Sequence, residues 1–113
     1  MTQYTIGVDI SKAHLDVHRL PDGEVRQFTN DRGGLGAMIK WIGTLSIERI
    51  VYEPTGAYHR YFEEAFALAG LPLAKVNPLQ ARRFAQARGT RAKTDKIDAA
   101  VLAHMDVALQ PRI

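Results

Sequence analysis

YTIGVDISKAHLDVHRLPDGEVRQFT, Tyr4 to Thr29, is the stretch whose reading decides the fold. Tyr4, Ile6, Val8 and Ile10 alternate with Thr5, Gly7 and Asp9, which predicts a first strand with an acid near its end. His14 to Leu20 repeats the pattern as a second strand. In the PDGE that follows, Pro21 presets one dihedral and Gly23 tolerates positive φ, so the chain turns and returns as a third strand over Glu24–Thr29. The result is an antiparallel meander led by the strand that carries Asp9.

Beyond the meander the period lengthens. NDRGGLGAMIKWIGTL, Asn30 to Leu45, spaces Leu35, Met38, Ile39, Ile42 and Leu45 as one helical stripe. In ERIVYEP, Ile50, Val51 and Tyr52 form a short apolar run suited to a buried parallel strand, ended by Glu53 and broken by Pro54. GAYHRYFEEAFALAG returns to helical spacing through Tyr58, Tyr61, Phe62, Ala65, Phe66 and Ala69, with Gly70 and Pro72 as the stop. LPLAKVN reads as a fifth strand. Asn77 and Pro78 open a helix over Leu79–Ala87, and Gly89 and Thr90 separate it from a last helix capped by Thr94. The order βββαβαβ followed by helices predicts a mixed α/β sheet of RNase H-like fold.

The 113 residues suit one domain, and the chain has no cysteine for a disulfide or thiolate site. MTQYTIGVDI lacks the basic start and apolar core of a signal peptide, and no apolar run approaches the roughly 20 residues of a membrane span. These features predict a soluble, intracellular, cytoplasmic protein. The formal charge of +3 is unevenly spread. Arg82, Arg83, Arg88, Arg91, Lys93 and Lys96 cluster with Asp95 as the one acid among them. Such a cluster either forms a solvated helix face or attracts a polyanion.

The acids give the pattern its chemistry. Ligand-handling residues in α/β sheets gather beyond the carboxyl ends of strands, where Asp9 and Glu53 both fall. Asp95 and Asp98, three residues apart before an apolar helix, share a face that continues through Leu102 and Met105. Acids near a helix start also gain about 0.3–1 kcal/mol from the macrodipole, and strand-end aspartates also serve as turn formers or edge gatekeepers. If the first and fourth strands are neighbours, Asp9 and Glu53 come together; if a helix crosses the same edge it adds Asp95 and Asp98, and four carboxylates so close require cations. Paired divalent ions about 3.5–4 Å apart activate an attacking oxygen and stabilise the leaving oxygen of a phosphodiester, with Asp9 as the natural bridging ligand.

Other polar residues carry less. His14, His18, His59 and His104 show no ligand spacing, and His104 reads as a helix-face residue. Tyr58 and His59 follow Glu53 and suit either substrate contact or packing, while Trp41 and the tyrosines follow core periodicity. Ser11 and Lys12 follow Asp9 and suit either a phosphate contact or a hairpin turn.

GVDISKAHLDV, YEPTGAYH and VNPLQARRFAQARGTRAKTDKIDAAVLA, with the separations between them, resemble the N-terminal RuvC-like domain of the DEDD insertion-sequence transposases, a family that includes the Piv-type DNA invertases. The resemblance covers nearly the whole chain and implies that Asp9, Glu53, Asp95 and Asp98 are catalytic and bind magnesium, with manganese as a substitute. It implies DNA strand cleavage and exchange during transposition. Lys12, Arg82, Arg83, Arg88, Arg91, Lys93 and Lys96 would then contact nucleic acid. By the same resemblance the partners are DNA, a structured guide RNA from the element, and further copies of the chain in a homo-oligomer. The setting implied is bacterial or archaeal and nucleoid-associated. Family members continue into a C-terminal domain bearing a nucleophilic serine, whereas this sequence ends at Ile113, so residues 1–113 correspond to the DEDD domain alone. Alternatives are a stand-alone Holliday-junction-type nuclease, a non-catalytic nucleic-acid-binding remnant, and a fragment of an actin-like sugar kinase, whose phosphate hairpin the amino-terminal segment also resembles.

Overall fold

The computed structural model describes residues 2–53, 59–76, 78–87 and 99–109. Three strands open the chain, β1 (Tyr4–Ile10), β2 (His14–Leu20) and β3 (Val25–Thr29), followed by helix α1 (Arg32–Ile42). Strand β4 (Ile47–Tyr52), helix α2 (Arg60–Leu68) and strand β5 (Leu73–Lys75) come next, then helices α3 (Pro78–Ala87) and α4 (Ala99–Leu109). The sheet order is β3-β2-β1-β4-β5. β1, β2 and β3 pair antiparallel, and β1, β4 and β5 pair parallel. Gly23 has φ 77° in the β2–β3 turn, as the turn chemistry predicts.

Helices cover both faces, which explains why β1 is buried almost throughout. Ile6, Val8, Ile10, Leu15, Val17, Ile50 and Tyr52 project to one face, against Leu35, Met38 and Ile42 of α1 and Phe62 and Phe66 of α2. On the other face Val51 packs with Ala81 and Ala85 of α3 and with Val101, Leu102 and Met105 of α4. Strand alternation divides the two cores.

Three expectations shift. β4 begins at Ile47, because Ile47–Arg49 alternates in burial and does not read as an apolar run. The first helix stops at Ile42, where the Gly43 amide donates back to the Ile39 carbonyl, so Leu45 lies beyond it and only half-buried. The buried stripe of α2 is narrower than its period suggests. Phe62 and Phe66 fill it, whereas Tyr61 is 67% exposed and Ala69 faces solvent. The helix leans on the sheet along one line, and Tyr61 falls a quarter-turn off that line. Tyr58, the Asn77 cap and the Thr94 cap lie outside the described residues.

Candidate active site

The site begins from strand register. Gly7 pairs with Val51 and Val8 with Tyr52 across the parallel β1–β4 ladder. One step further along come Asp9, next to the last residue of β1, and Glu53, the residue after β4, so the two acids stand at the same level at the ends of neighbouring strands. Neighbouring strands lie about 4.8 Å apart. Alternation gives both acids the α3/α4 face, since Val8 and Tyr52 take the other. Both carboxylates are half-buried.

Their proximity registers electrostatically. Burial is the main cause that pushes the Glu53 carboxyl above its usual range; Asp9 adds to the rise, and Arg82 opposes it. Arg82 and Arg83 are exposed on α3, one turn of which is anchored by the buried Ala81 and Ala85. A basic side chain predicted to meet nucleic acid is therefore within electrostatic reach of one predicted catalytic acid.

Helix α4 crosses the same face. A Cβ placed on Gly7 would lie 2.1 Å from the Ala99 carbonyl oxygen and 2.6 Å from the Ala103 amide nitrogen, so only glycine allows this approach. The first described turn of α4 thus sits on the strand position two residues before Asp9. Leu102 and Met105, the predicted inward stripe, are both buried. Asp95, Asp98, Arg88, Arg91, Lys93 and Lys96 lie outside the described residues. Among the described residues, no group of three or more His, Cys, Asp or Glu gathers closely enough to hold a metal ion.

One acid escaped the sequence reading. Asp16 pairs with Asp9 across the antiparallel β1–β2 ladder, and directly opposed residues share a face. Gln27 pairs with Asp16 in turn, and its amide donates to Asp16 Oδ1 at 2.8 Å. Gln27, Asp16 and Asp9 therefore form a polar row across β3, β2 and β1, with Glu53 level with it just past the end of β4. Counting back from the Ser11–His14 hairpin would have revealed the pairing.

The weaker candidates separate. The Ser11 hydroxyl donates to the His14 carbonyl at 3.0 Å and accepts from the His14 amide at 3.2 Å, which is turn work, while Lys12 is exposed beside it. His104 faces His18 of β2, ring centroids 5.8 Å apart, and is a helix-face residue as predicted. It also borders a cavity of about 430 Å³ with Gln3, Thr5 and Glu48, at the opposite end of β1 from Asp9. No helix among the described residues is long and apolar enough to cross a membrane.

A family model described as Transposase, for the IS110-type DEDD proteins, matches residues 6–111. Two curated relatives, each a pilin gene-inverting protein, come from Moraxella lacunata and Moraxella bovis, 30% and 29% identical over 98% of this chain. The chain spans 36% of the length of each, about a third. Among solved structures, T. thermophilus RuvC in complex with Holliday junction substrate matches with a TM-score of 0.64 and 12% identity, over 96% of this chain and 97% of that one. A second Thermus thermophilus RuvC structure matches at 0.52 and 16% identity, over 97% and 83%. At these identities the likeness concerns the fold alone, and it bears out the RNase H-like architecture predicted from element order.

Proposed function

Because the chain belongs to the IS110-type DEDD transposase family, we propose that it is the metal-dependent DNA-cleaving part of a recombinase that cuts and exchanges strands. The observation that carries this reading is the placement of two acids, Asp9 and Glu53, at adjacent strand ends on one face. Asp95 and Asp98 complete the proposed set. Asp98 is bonded directly to Ala99, whose carbonyl oxygen packs on Gly7, and this covalent link supports its assignment to the same edge.

The donor chemistry fits a divalent cation. The proposed donors are carboxylate oxygens, hard ligands suited to magnesium or manganese, and Glu53 is pushed toward its neutral form by burial, with Arg82 opposing and Asp9 adding. A bound cation would supply charge neutralisation and activation of the attacking oxygen at the scissile phosphodiester. The chain's own contributions are distinct. Asp9 and Glu53 would hold the cation, and Asp95 and Asp98 would complete its coordination. Arg82, Arg83, Arg88, Arg91, Lys93 and Lys96 would grip the phosphate backbone beside it, with Lys12 as a further contact from the hairpin. A structured RNA partner and self-association belong to the same proposal, as does a nucleophilic serine supplied by a further domain.

Calorimetric titration with magnesium or manganese at constant ionic strength tests the reading. The native chain is compared with Asp9→Asn and with the double variant Asp95→Asn, Asp98→Asn. Saturable binding lost in both variants is expected. Native affinity in either variant removes the altered residues from the site.

A further inference from the structure

The residue before Glu53 is tied to its neighbours from several sides. Tyr52 is only 2% exposed, and its ring meets Phe62 edge-on at 5.1 Å between centroids. Its hydroxyl nevertheless finds a partner, donating to Glu63 Oε2 in the first turn of α2. Lys75 Nζ, at the end of β5, lies 3.2 Å from the same oxygen. His59 Nε2, at the amino end of α2, lies 3.7 Å from Glu63 Oε1. The backbone is tied as well, since the Val76 amide donates to the Tyr52 carbonyl at 3.0 Å. Side-chain and main-chain ties from α2 and the end of β5 thus meet on a single tyrosine.

This cluster is not the acid site. Tyr52 projects toward the α1/α2 core, and by alternation Glu53 projects to the opposite face. The Tyr52 hydrogen bond is the main influence holding the Glu63 carboxyl below its usual range, with Lys75 and His59 acting the same way. Glu63 is therefore a firmly ionised acceptor. The desolvation of the buried Tyr52 hydroxyl is met by its hydrogen bond to the Glu63 carboxylate, a bond that ties the end of β4 to α2.

We propose that Tyr52, clamped by Glu63 with Lys75 and His59, is a positioning residue that fixes the end of β4 and thereby aims Glu53 at the cation it shares with Asp9. The proposal rests on the metal-binding reading of Glu53. Coordination tolerates only about 0.5 Å of ligand misplacement, and Glu53 stands one residue beyond the end of β4, past the last ladder pair at Tyr52. A side chain pinned one residue earlier, on the opposite face, removes that freedom without occupying a coordination position. Supporting groups of this kind typically alter metal affinity by about 10-fold or more.

Manganese affinity, read by water-proton relaxation, and melting temperature are measured together for five proteins. These are the native chain, Tyr52→Phe, Glu63→Gln, Phe66→Leu and Glu53→Gln. Tyr52→Phe keeps the ring and loses the hydroxyl, and about 10-fold weaker manganese binding is expected. Glu63→Gln retains a neutral acceptor for the hydroxyl but loses the charge that pairs with Lys75 and His59, so a loss of affinity smaller than that of Tyr52→Phe is expected. Phe66→Leu disturbs the same core away from the clamp and is expected to lower melting while leaving affinity alone. Native affinity in Tyr52→Phe, or an equal loss in Phe66→Leu, overturns the clamp. Should Tyr52→Phe fail to fold, Glu63→Leu removes the acceptor with Tyr52 intact and is read by the same criteria. If Glu53→Gln itself binds manganese as the native chain does, the metal reading of Glu53 has failed and the clamp falls with it. Loss in Glu53→Gln without loss in Tyr52→Phe overturns the clamp alone.

Discussion

Gly7→Ala is the substitution whose consequence the structure fixes most tightly. The new Cβ would stand 2.1 Å from the Ala99 carbonyl oxygen, where an unstrained carbon–oxygen contact is about 3.3 Å, so α4 must retreat by about 1.2 Å. Both obstructing atoms, the Ala99 oxygen and the Ala103 nitrogen, belong to backbone, and no rotamer change relieves them. Overpacking costs about 1–3 kcal/mol, and a backbone clash belongs at the upper end. At roughly 4 °C per kcal/mol for a domain of this size, melting should fall by about 12 °C. The same retreat carries the start of α4 away from Asp9, and a misplacement of about 1 Å can cost about 100-fold in catalysis. Gly36→Ala is the matched control. It lies in α1 with nothing within 4 Å of the added Cβ, so the same chemical change should stabilise the protein by about 0.5–1 kcal/mol. Thermal denaturation by circular dichroism and manganese titration of both variants check the pair. A Gly7→Ala protein that melts and binds like the native chain would refute the close approach of α4 to β1.

Two further outcomes follow from charge. Burial pushes the Asp106 carboxyl up, Glu48 adds to the rise, and Arg49, with Nε 3.2 Å from Asp106 Oδ1, opposes it. A raised folded value means that the protonated acid's stabilising contribution is full below the unfolded value of about 4 and declines as pH rises through the folded one. The melting temperature of Asp106→Asn relative to native should therefore climb from pH 4 to 7, and a pH-independent difference would contradict the assignment. Replacing Arg82 and Arg83 together by alanine should weaken DNA binding across all sequences and flatten the salt dependence, by a slope of about 1 for each phosphate that is no longer neutralised. An unchanged slope removes α3 from the DNA interface.

What was legible in the sequence was whatever depends on local period. The bounds of β1 and β2 follow from alternation alone, and the mixed topology follows from element order. Asp9 and Glu53 could be paired because each ends a strand and the β1–β4 neighbourhood is dictated by the fold. Asp16 was missed because its place opposite Asp9 is a matter of hairpin register, which shifts every partner if the turn changes by one residue. Tyr61 was assigned inward because a tyrosine's amphipathic ring satisfies a helical stripe on paper, while the packing line of α2 is set by where the sheet lies. The Tyr52–Glu63 contact was illegible for a related reason. Its partners are eleven residues apart on different elements, and no spacing rule joins a strand end to a helix's first turn.

The strand period of two gives this site a division of labour. The residue before each acid, Val8 before Asp9 and Tyr52 before Glu53, is buried in the α1/α2 core. The residue two positions before each acid, Gly7 or Val51, is buried beneath α3 and α4. Each acid therefore inherits its position from one core and its electrostatic surroundings from the other. Position comes through backbone, because Val8 and Tyr52 cannot move without tilting the next peptide. Surroundings come through side chains and helix approach, because Arg82 and the first described turn of α4 stand on the acids' own face. A sheet edge built this way can change the helix surface on the acids' own face while the acids stay fixed, since Val8 and Tyr52 lie on the far side of the sheet.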